Sequence, residues 1–372
     1  MIFHTLKLFN FKNFAEGSLA FVPGINCLVG NNGMGKTNVL DALHYLATGK
    51  SAINPVDAAN IRHGQEAFAI KAACERNGTS MEVLCAVQAG RRKSIKVNGK
   101  EQERLSDHLG LLPVVLIAPD DITLIYDGNE ARRRFFDSTI SQFDKTYLHH
   151  LLRYQRALKQ RNSLLKQFAQ NGRTDPQMLA PYDHELLTSG RTIYEVRQVF
   201  LASFTSRCAE LYKQISQEHE QIAIVYESTW QQDQPEQLYH EALPRDLALQ
   251  RTTVGIHRDA YHFTIDGRPV KRFGSQGQQK SLLVALKLAQ FEVLQQQAGT
   301  TPVLLLDDIY DKLDNDRIAI LLQMVRGGHF GQIFITDAHP ERTQHILADN
   351  KLPARIFTIK EGQVTECRDY GP

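Results

Sequence analysis

Apolar and polar side chains alternate along residues 2–9, the period-two pattern of a half-buried strand. Residues 21–29 hold a second strand, ending in the continuous run Ile25-Asn26-Cys27-Leu28-Val29 that suits a buried sheet position. A glycine-rich turn follows, and the spacing then predicts a helix from about Lys36 to Ala47. Residues 67–103 read as an antiparallel meander. Asn77-Gly78 and Asn98-Gly99 supply residues that accept the positive φ of a two-residue hairpin, with Ala89-Gly90 between them. Residues 112–118 form a buried strand candidate. From about 129 to 222 Leu, Ile and Phe recur every three or four positions, which predicts helices, with breaks at Asn171-Gly172 and at 176–181. Strand character returns at 222–226 and 261–265, the second turning at Asp266-Gly267. A helix over 276–297, a buried strand at 303–306, a helix near 315–326, a strand at 332–336 and a last hairpin around Glu361-Gly362 complete the pattern. The expectation is an α/β frame at 1–125 and 226–372, interrupted by a mainly helical lobe at 126–225.

Composition narrows the class. The chain has 372 residues, 42% hydrophobic and 23% charged, which excludes pervasive disorder and fibrous repeats. Its net charge of +2 means that any nucleic-acid surface must be a local patch balanced by acid elsewhere. Cys27, Cys74, Cys85, Cys208 and Cys367 are scattered and never paired as C-x-x-C, which argues against a disulfide framework or a zinc ribbon. A reducing, cytoplasmic setting is expected. The first residues read as a strand, and no run approaches 18 apolar residues, so neither a signal peptide nor a membrane span is expected.

The chemistry begins at Gly30-Asn31-Asn32-Gly33-Met34-Gly35-Lys36-Thr37, a complete G-x-x-x-x-G-K-[ST] between a strand and a helix. Loop N–H groups and the helix terminus, continuing to Asn38, suit phosphate, and glycines permit close backbone approach. Lys36 is assigned to the β- and γ-phosphates of ATP, and the Thr37 hydroxyl to Mg²⁺. The buried strand at 303–306 ends in Asp307-Asp308. Asp307 is the candidate support for the magnesium ion, and Asp308 the group that orients or deprotonates the attacking water. At 274–281 the sequence Gly274-Ser275-Gln276-Gly277-Gln278-Gln279-Lys280-Ser281 opens a second helix, with Ser275 at the N-cap and Gly277 leaving the first turn open. By itself this segment also reads as a simply capped helix without a ligand.

Ser275-Gln276-Gly277-Gln278-Gln279 resembles the signature of ABC-type ATPases, and Tyr310-Asp311-Lys312-Leu313-Asp314 resembles their D-loop. The resemblance implies an ABC-type P-loop ATPase head with an inserted helical lobe. It also implies an ATP-dependent homodimer in which Ser275, Gly277 and Gln278 of one copy meet the nucleotide on the other. The opening strand, Arg132-Arg133-Arg134-Phe135-Phe136-Asp137, Leu158-Lys159-Gln160-Arg161-Asn162 and Thr253-Val254-Gly255-Ile256-His257-Arg258-Asp259 resemble segments of the bacterial RecF family nearly end to end. Ile256 and Ala260 depart from that family's usual Pro and second Asp, and Asp308 stands where many ABC ATPases carry Glu. His339 reads as a loop histidine rather than a switch, and the glutamine loop has no clear place in the sequence, with Gln65 a candidate.

The RecF resemblance implies slow, DNA-stimulated ATP hydrolysis, binding to duplex and single-strand/double-strand gap junctions, and loading of RecA with RecO and RecR. The cations available to DNA phosphates are Arg91, Arg92 and Lys93 at a hairpin end and Arg132, Arg133 and Arg134 at the start of the lobe. Lys96, Lys100, Arg153, Arg156, Lys159 and Arg161 extend the set, and the alternative for each is plain surface charge or, for 132–134, bracing of the lobe. Two further readings remain: a binding module in which ATP is only a dimer ligand, and another ABC-type ATPase such as a transporter subunit.

Overall fold

The computed structural model describes residues 1–172, 174–216, 220–231, 235–308 and 315–371. Alternation in β1 (Ile2–Phe11) buries Phe3, then Leu6 and Leu8, because an irregularity between Phe3 and Thr5 shifts the register by one. β1 pairs with β2 (Phe14–Ala20) and with β4 (Ala67–Arg76), and the antiparallel order is β2-β1-β4-β5-β6-β7, with β5 Thr79–Gln88, β6 Ser94–Val97 and β7 Lys100–Glu101. Both Asn-Gly turns of this meander carry positive φ at each residue. β2 escapes the sequence pattern because Gly17 interrupts a strand with only two buried side chains, Phe14 and Leu19.

The second sheet has the order β15-β14-β3-β13-β12-β8. β3 (Ile25–Val29) is buried at every position and lies at its centre. Its parallel neighbours are β13 (Ile333–Asp337) and β14 (Ala354–Lys360). β12 (Val303–Leu306) and β8 (Val114–Ile117) continue the parallel run, and β15 (Gln363–Tyr370) closes it as an antiparallel edge. The helix Lys36–Thr48 packs against strands of both sheets. Val39, Leu40, Leu43, Tyr45 and Leu46 join Phe3, Phe68, Leu305, Phe334 and Phe357 in one core. Ring centroids of Tyr45 and Phe68 are 5.5 Å apart, and those of Phe21 and Phe334 4.7 Å. Burying each such side chain contributes roughly 1.5–3 kcal/mol, which fixes the helix by packing rather than by propensity.

The chain divides into two compact units: 1–121 with 214–216 and 280–372, and 122–213 with 217–279. From the pattern alone the helical lobe ends at 225, whereas the second unit continues through Gln279. The reason is pairing, because β9 (Ile222–Glu227) lies antiparallel to β10 (Ala260–Ile265) along its whole length. A short strand, β11 (Arg268–Pro269), completes that sheet. The unit's long helices are Asn129–Ser141, Lys145–Asn171, Ala180–Ser216 up to residue 213, and Pro235–Leu249. The last of these contains Pro244, which hides it from a periodicity reading. Gly172, at φ 65°, stops the second helix at the anticipated break.

Arginines hold this unit's interior. Arg161 pairs with Asp183 at 2.5 Å and Asp246 at 2.6 Å, and Arg197 with Asp137 at 2.7 Å and Asp259 at 2.8 Å. Among the described residues no helix is long and apolar enough to cross a membrane.

Candidate functional site

The loop after β3 turns at glycines because the chain demands it. Gly30, at φ +145°, donates its N–H to the Asp337 carbonyl at 3.3 Å, and a Cβ there would lie 2.3 Å from the Ile359 carbonyl oxygen. Gly35, at φ +112°, would push a Cβ to 2.7 Å from the Asn13 side chain. Asn13 is a clamp that sequence reading missed. Its Nδ2 donates to the Met34 carbonyl at 3.0 Å, and its Oδ1 accepts from Asn38 Nδ2 at 2.7 Å. The Met34 carbonyl also accepts the N–H of Gly362, at 2.9 Å, from the tip of the C-terminal hairpin. The β1–β2 turn and that hairpin thus grip the loop from two distant parts of the sequence. A single side chain between two strands carries no period, so only its position in a turn hinted at Asn13.

Lys36 is 4% exposed, and its Nζ donates to the Asn31 carbonyl at 3.0 Å. No side chain caps the helix that it begins. Thr37 Oγ1 donates to Asp307 Oδ1 at 2.9 Å, which brings the two sequence motifs together. Thr336, at the end of β13, is the third member and was also missed. Its Oγ1 donates to Asp307 Oδ1 at 2.8 Å and accepts the Asp308 N–H at 2.8 Å. Asp308 itself sits at φ +44°, a left-handed conformation unusual outside glycine.

Burial raises the Asp307 carboxyl above the ordinary range, against the hydroxyls of Thr336 and Thr37, which favour its ionised form. Burial pushes the same way on Asp337. There Arg342 at 2.5 Å, the His339 N–H at 3.0 Å and Thr343 at 2.7 Å outweigh it and hold the carboxyl below the usual range. Cys27, on β3, is pushed up to about 12 by burial and is an inert thiol at neutral pH.

The signature closes on itself. Ser275 Oγ accepts the Gln278 N–H at 3.2 Å, and Gln278 Oε1 accepts the Ser275 N–H at 2.6 Å, a reciprocal capping box. Gln278 Nε2 donates to Glu220 Oε1 at 2.5 Å. Gln279 Nε2 donates to the carbonyls of Gly274 and Val270. Both glutamine side chains are therefore engaged internally, including Gln278, which was expected at the nucleotide. This cap leaves the Ser275 hydroxyl proton unused, and the N–H groups of Gln276 and Gly277 come ahead of the own ladder of the helix Gln276–Ala298.

His339 is the exposed N-cap of the helix Pro340–Asp349, and Gln65 is an exposed residue accepting from Asn10 Nδ2 at 3.4 Å. The D-loop expected at 310–314 lies outside the described residues.

The cation set splits. Arg91 and Arg92 are exposed. Lys93 is half-buried, with Nζ on the Gly49 carbonyl at 2.6 Å and on Asp57 at 2.8 Å, so it braces the loop. Arg132 leaves the DNA set: it is buried, with its guanidinium on the carbonyls of Leu124, Ile125 and Tyr261, and over the Phe263 ring at 4.5 Å. Arg133 is half-buried and donates to the Asp259 carbonyl at 2.5 Å. Arg134 is exposed and paired with Glu130 at 2.5 Å. Arg161 is internal, Arg153 pairs with Glu185 at 2.5 Å, and Arg156, Lys159, Lys96 and Lys100 are exposed.

The chain matches the family model described as RecF/RecN/SMC N terminal domain over residues 2–352. It is 47% identical over 359 residues to a Flavobacterium johnsoniae protein named DNA replication and repair protein RecF, covering 96% of this chain and all of that one. A Phocaeicola vulgatus protein of the same name is 41% identical over 371 residues, 99% of each chain. Among solved structures, the recombination mediator protein RecF-ATP in the RecFOR pathway is 27% identical, covers 99% of both chains and has a TM-score of 0.86. The RecF-ATPrS structure from the same pathway gives 28% identity, 98% and 97% coverage and a TM-score of 0.88. An SMC head bound to the C-winged helix domain of ScpA shares the fold, with a TM-score of 0.57 at 13% identity and coverage of 100% and 98%.

Proposed function

The chain belongs to the RecF/RecN/SMC N-terminal domain family, on its RecF side, and from that premise we propose that it is an ATP-gated DNA clamp of recombinational repair. One observation carries the reading. The phosphate loop, with Lys36 Nζ on the Asn31 carbonyl and the Thr37 hydroxyl on Asp307, forms one half of a triphosphate cage, while a separately built signature helix offers Ser275 and its first N–H groups as the other half. In this reading two copies close head to tail, each signature meeting the γ-phosphate on the other copy's loop. ATP then stabilises the closed dimer by mass action, and its hydrolysis releases it.

The residues fit both ligands. The Lys36 ammonium rests on a backbone carbonyl where phosphate oxygens would be stronger acceptors. A hydroxyl and a carboxylate 2.9 Å apart are hard oxygen donors, so Thr37 and Asp307 would hold Mg²⁺. The bound ion supplies neutralisation of charge on the β- and γ-phosphates. Thr336 steadies both acids: it donates to Asp307 and receives the Asp308 N–H, fixing the backbone from which the Asp308 carboxylate reaches an attacking water. The shorter Asp side chain in place of Glu accords with slow turnover.

Arg91 and Arg92, with the exposed Lys96 and Lys100, and Arg134, Arg156 and Lys159 in the second unit, are the cations left for a duplex or a gap junction. By the same reading the protein works in the cytoplasm with RecO and RecR. Sedimentation with ATP and Mg²⁺, then with gapped duplex, is the test: ATP-dependent dimers that bind the duplex are expected, and strict monomers at all concentrations overturn the reading. Log affinity for duplex should fall linearly with log salt, by about 0.9 per phosphate neutralised, and a flat response rejects the cation patch.

A further inference from the structure

The signature cap is held from outside its own helix. Tyr212 is buried near the end of the helix Ala180–Ser216, and its hydroxyl donates to the Glu220 carboxylate through Oε2. The other oxygen, Oε1, accepts from Gln278 Nε2 at 2.5 Å. On the far side of the same amide, Oε1 of Gln278 accepts the Ser275 N–H at 2.6 Å. An amide has one accepting and one donating end, and a carboxylate only accepts. Glu220 and the Ser275 N–H therefore select the same orientation of the Gln278 amide. Reversed, the amide would turn its oxygen toward the carboxylate and its NH₂ toward the Ser275 N–H, two repulsive contacts in place of two hydrogen bonds. In the observed orientation the Ser275 N–H is satisfied and Ser275 Oγ, which accepts the Gln278 N–H, keeps its proton to donate to an anion.

We propose that Glu220 is a positioning residue for the signature, fixing the Gln278 amide so that Ser275 is presented to the second copy's nucleotide, and tying that presentation to the end of the long lobe helix through Tyr212. This rests on the shared-cage reading above. Glu220 is not assigned as a nucleotide contact and acts on the signature through Gln278.

The test uses the full chain with ATP and Mg²⁺ and two readouts: ATP affinity of the monomer, from titration of a fluorescent ATP analogue, and the dimer dissociation constant, from sedimentation. Glu220→Ala is expected to weaken ATP-driven dimerisation at least tenfold, with monomer ATP affinity within twofold of wild type. Glu220→Gln, whose carbonyl still accepts from Gln278, should recover most of the loss, a rescue that general damage to the fold would not show. Tyr212→Phe should weaken dimerisation a few fold. Gln278→Glu faces Glu220 with a second acceptor without emptying the site, and serves if Glu220→Ala does not fold; it too should cost at least tenfold. If wild type dimerises with ATP and either Glu220→Ala or Gln278→Glu dimerises equally well, the inference is overturned and the shared cage stands. If wild type stays monomeric with ATP, the shared cage falls and this inference with it.

Discussion

The two helix starts directed at phosphate are built in opposite ways. The helix Lys36–Thr48 has no side-chain cap, and its approach is a run of backbone held from outside by Asn13, Gly362 and the Asp337 carbonyl. The helix Gln276–Ala298 begins with a complete reciprocal cap of its own. The first has backbone fixed from outside and no side chain on its first-turn N–H groups, an arrangement suited to an anion. The second is stable without one and offers only a hydroxyl proton and two N–H groups. A site that must hold ATP in the monomer and one that must engage it only transiently from a partner have different needs, and the two constructions match that division.

The largest expected effect lies in the first region. Lys36→Ala should lower monomer ATP affinity about 100-fold or more and abolish dimerisation, since losing one member of a buried charged hydrogen bond costs roughly 2–5 kcal/mol. Titration with a fluorescent ATP analogue measures it; a loss under threefold would mean that the backbone alone carries the phosphate. Ser275→Arg sharpens the contrast, because it should block ATP-driven dimerisation in sedimentation while leaving monomer ATP binding within twofold. If it weakens both, the division of labour is wrong.

Asp308→Asn should reduce steady-state phosphate release about 100-fold while sparing ATP binding, as expected for loss of a group acting on the attacking water. Equal, background-level release from wild type and variant would instead make ATP a structural dimer ligand only.

The smallest effect separates the regions by pH. Burial lowers His257, in the signature-bearing unit, to about 4, with the Thr252 carbonyl opposing and Arg258 and Arg133 assisting. Its Nδ1 lies 2.7 Å from the Tyr154 hydroxyl and its Nε2 3.1 Å from the Thr252 carbonyl, and burial favours the neutral ring. A depressed pKa contributes stability above the ordinary value of 6.5, which is lost as pH falls toward 4. Chemical denaturation should show a loss of about 2 kcal/mol at pH 5 that His257→Gln removes. An identical acid slope in the variant would show that other groups set it.

Local patterns made much of this legible. The phosphate loop, the acidic strand end and the signature each occupy a few consecutive residues, and the Asn-Gly turns need nothing beyond their own backbone. For Arg132 the sequence leaves DNA contact and bracing of the lobe both open, because a run of three arginines does not say which is buried, and the carbonyls of Leu124, Ile125 and Tyr261 around it decide for bracing. Arg134, two positions on, is exposed, as the pattern suggested.

What the chain's own residues settled is everything that a contiguous stretch can encode: strand and helix periods, glycines where φ is positive, a lysine and a hydroxyl at fixed spacing on a helix start. Tertiary structure alone decided which carboxylate meets Thr37, that Asn13 and Gly362 share one carbonyl, and that Glu220 orients the signature amide. Those contacts join residues far apart in sequence through single hydrogen bonds. Such a bond leaves no periodic trace in either partner, and it forms only after the packing of the unit around it has set the distance.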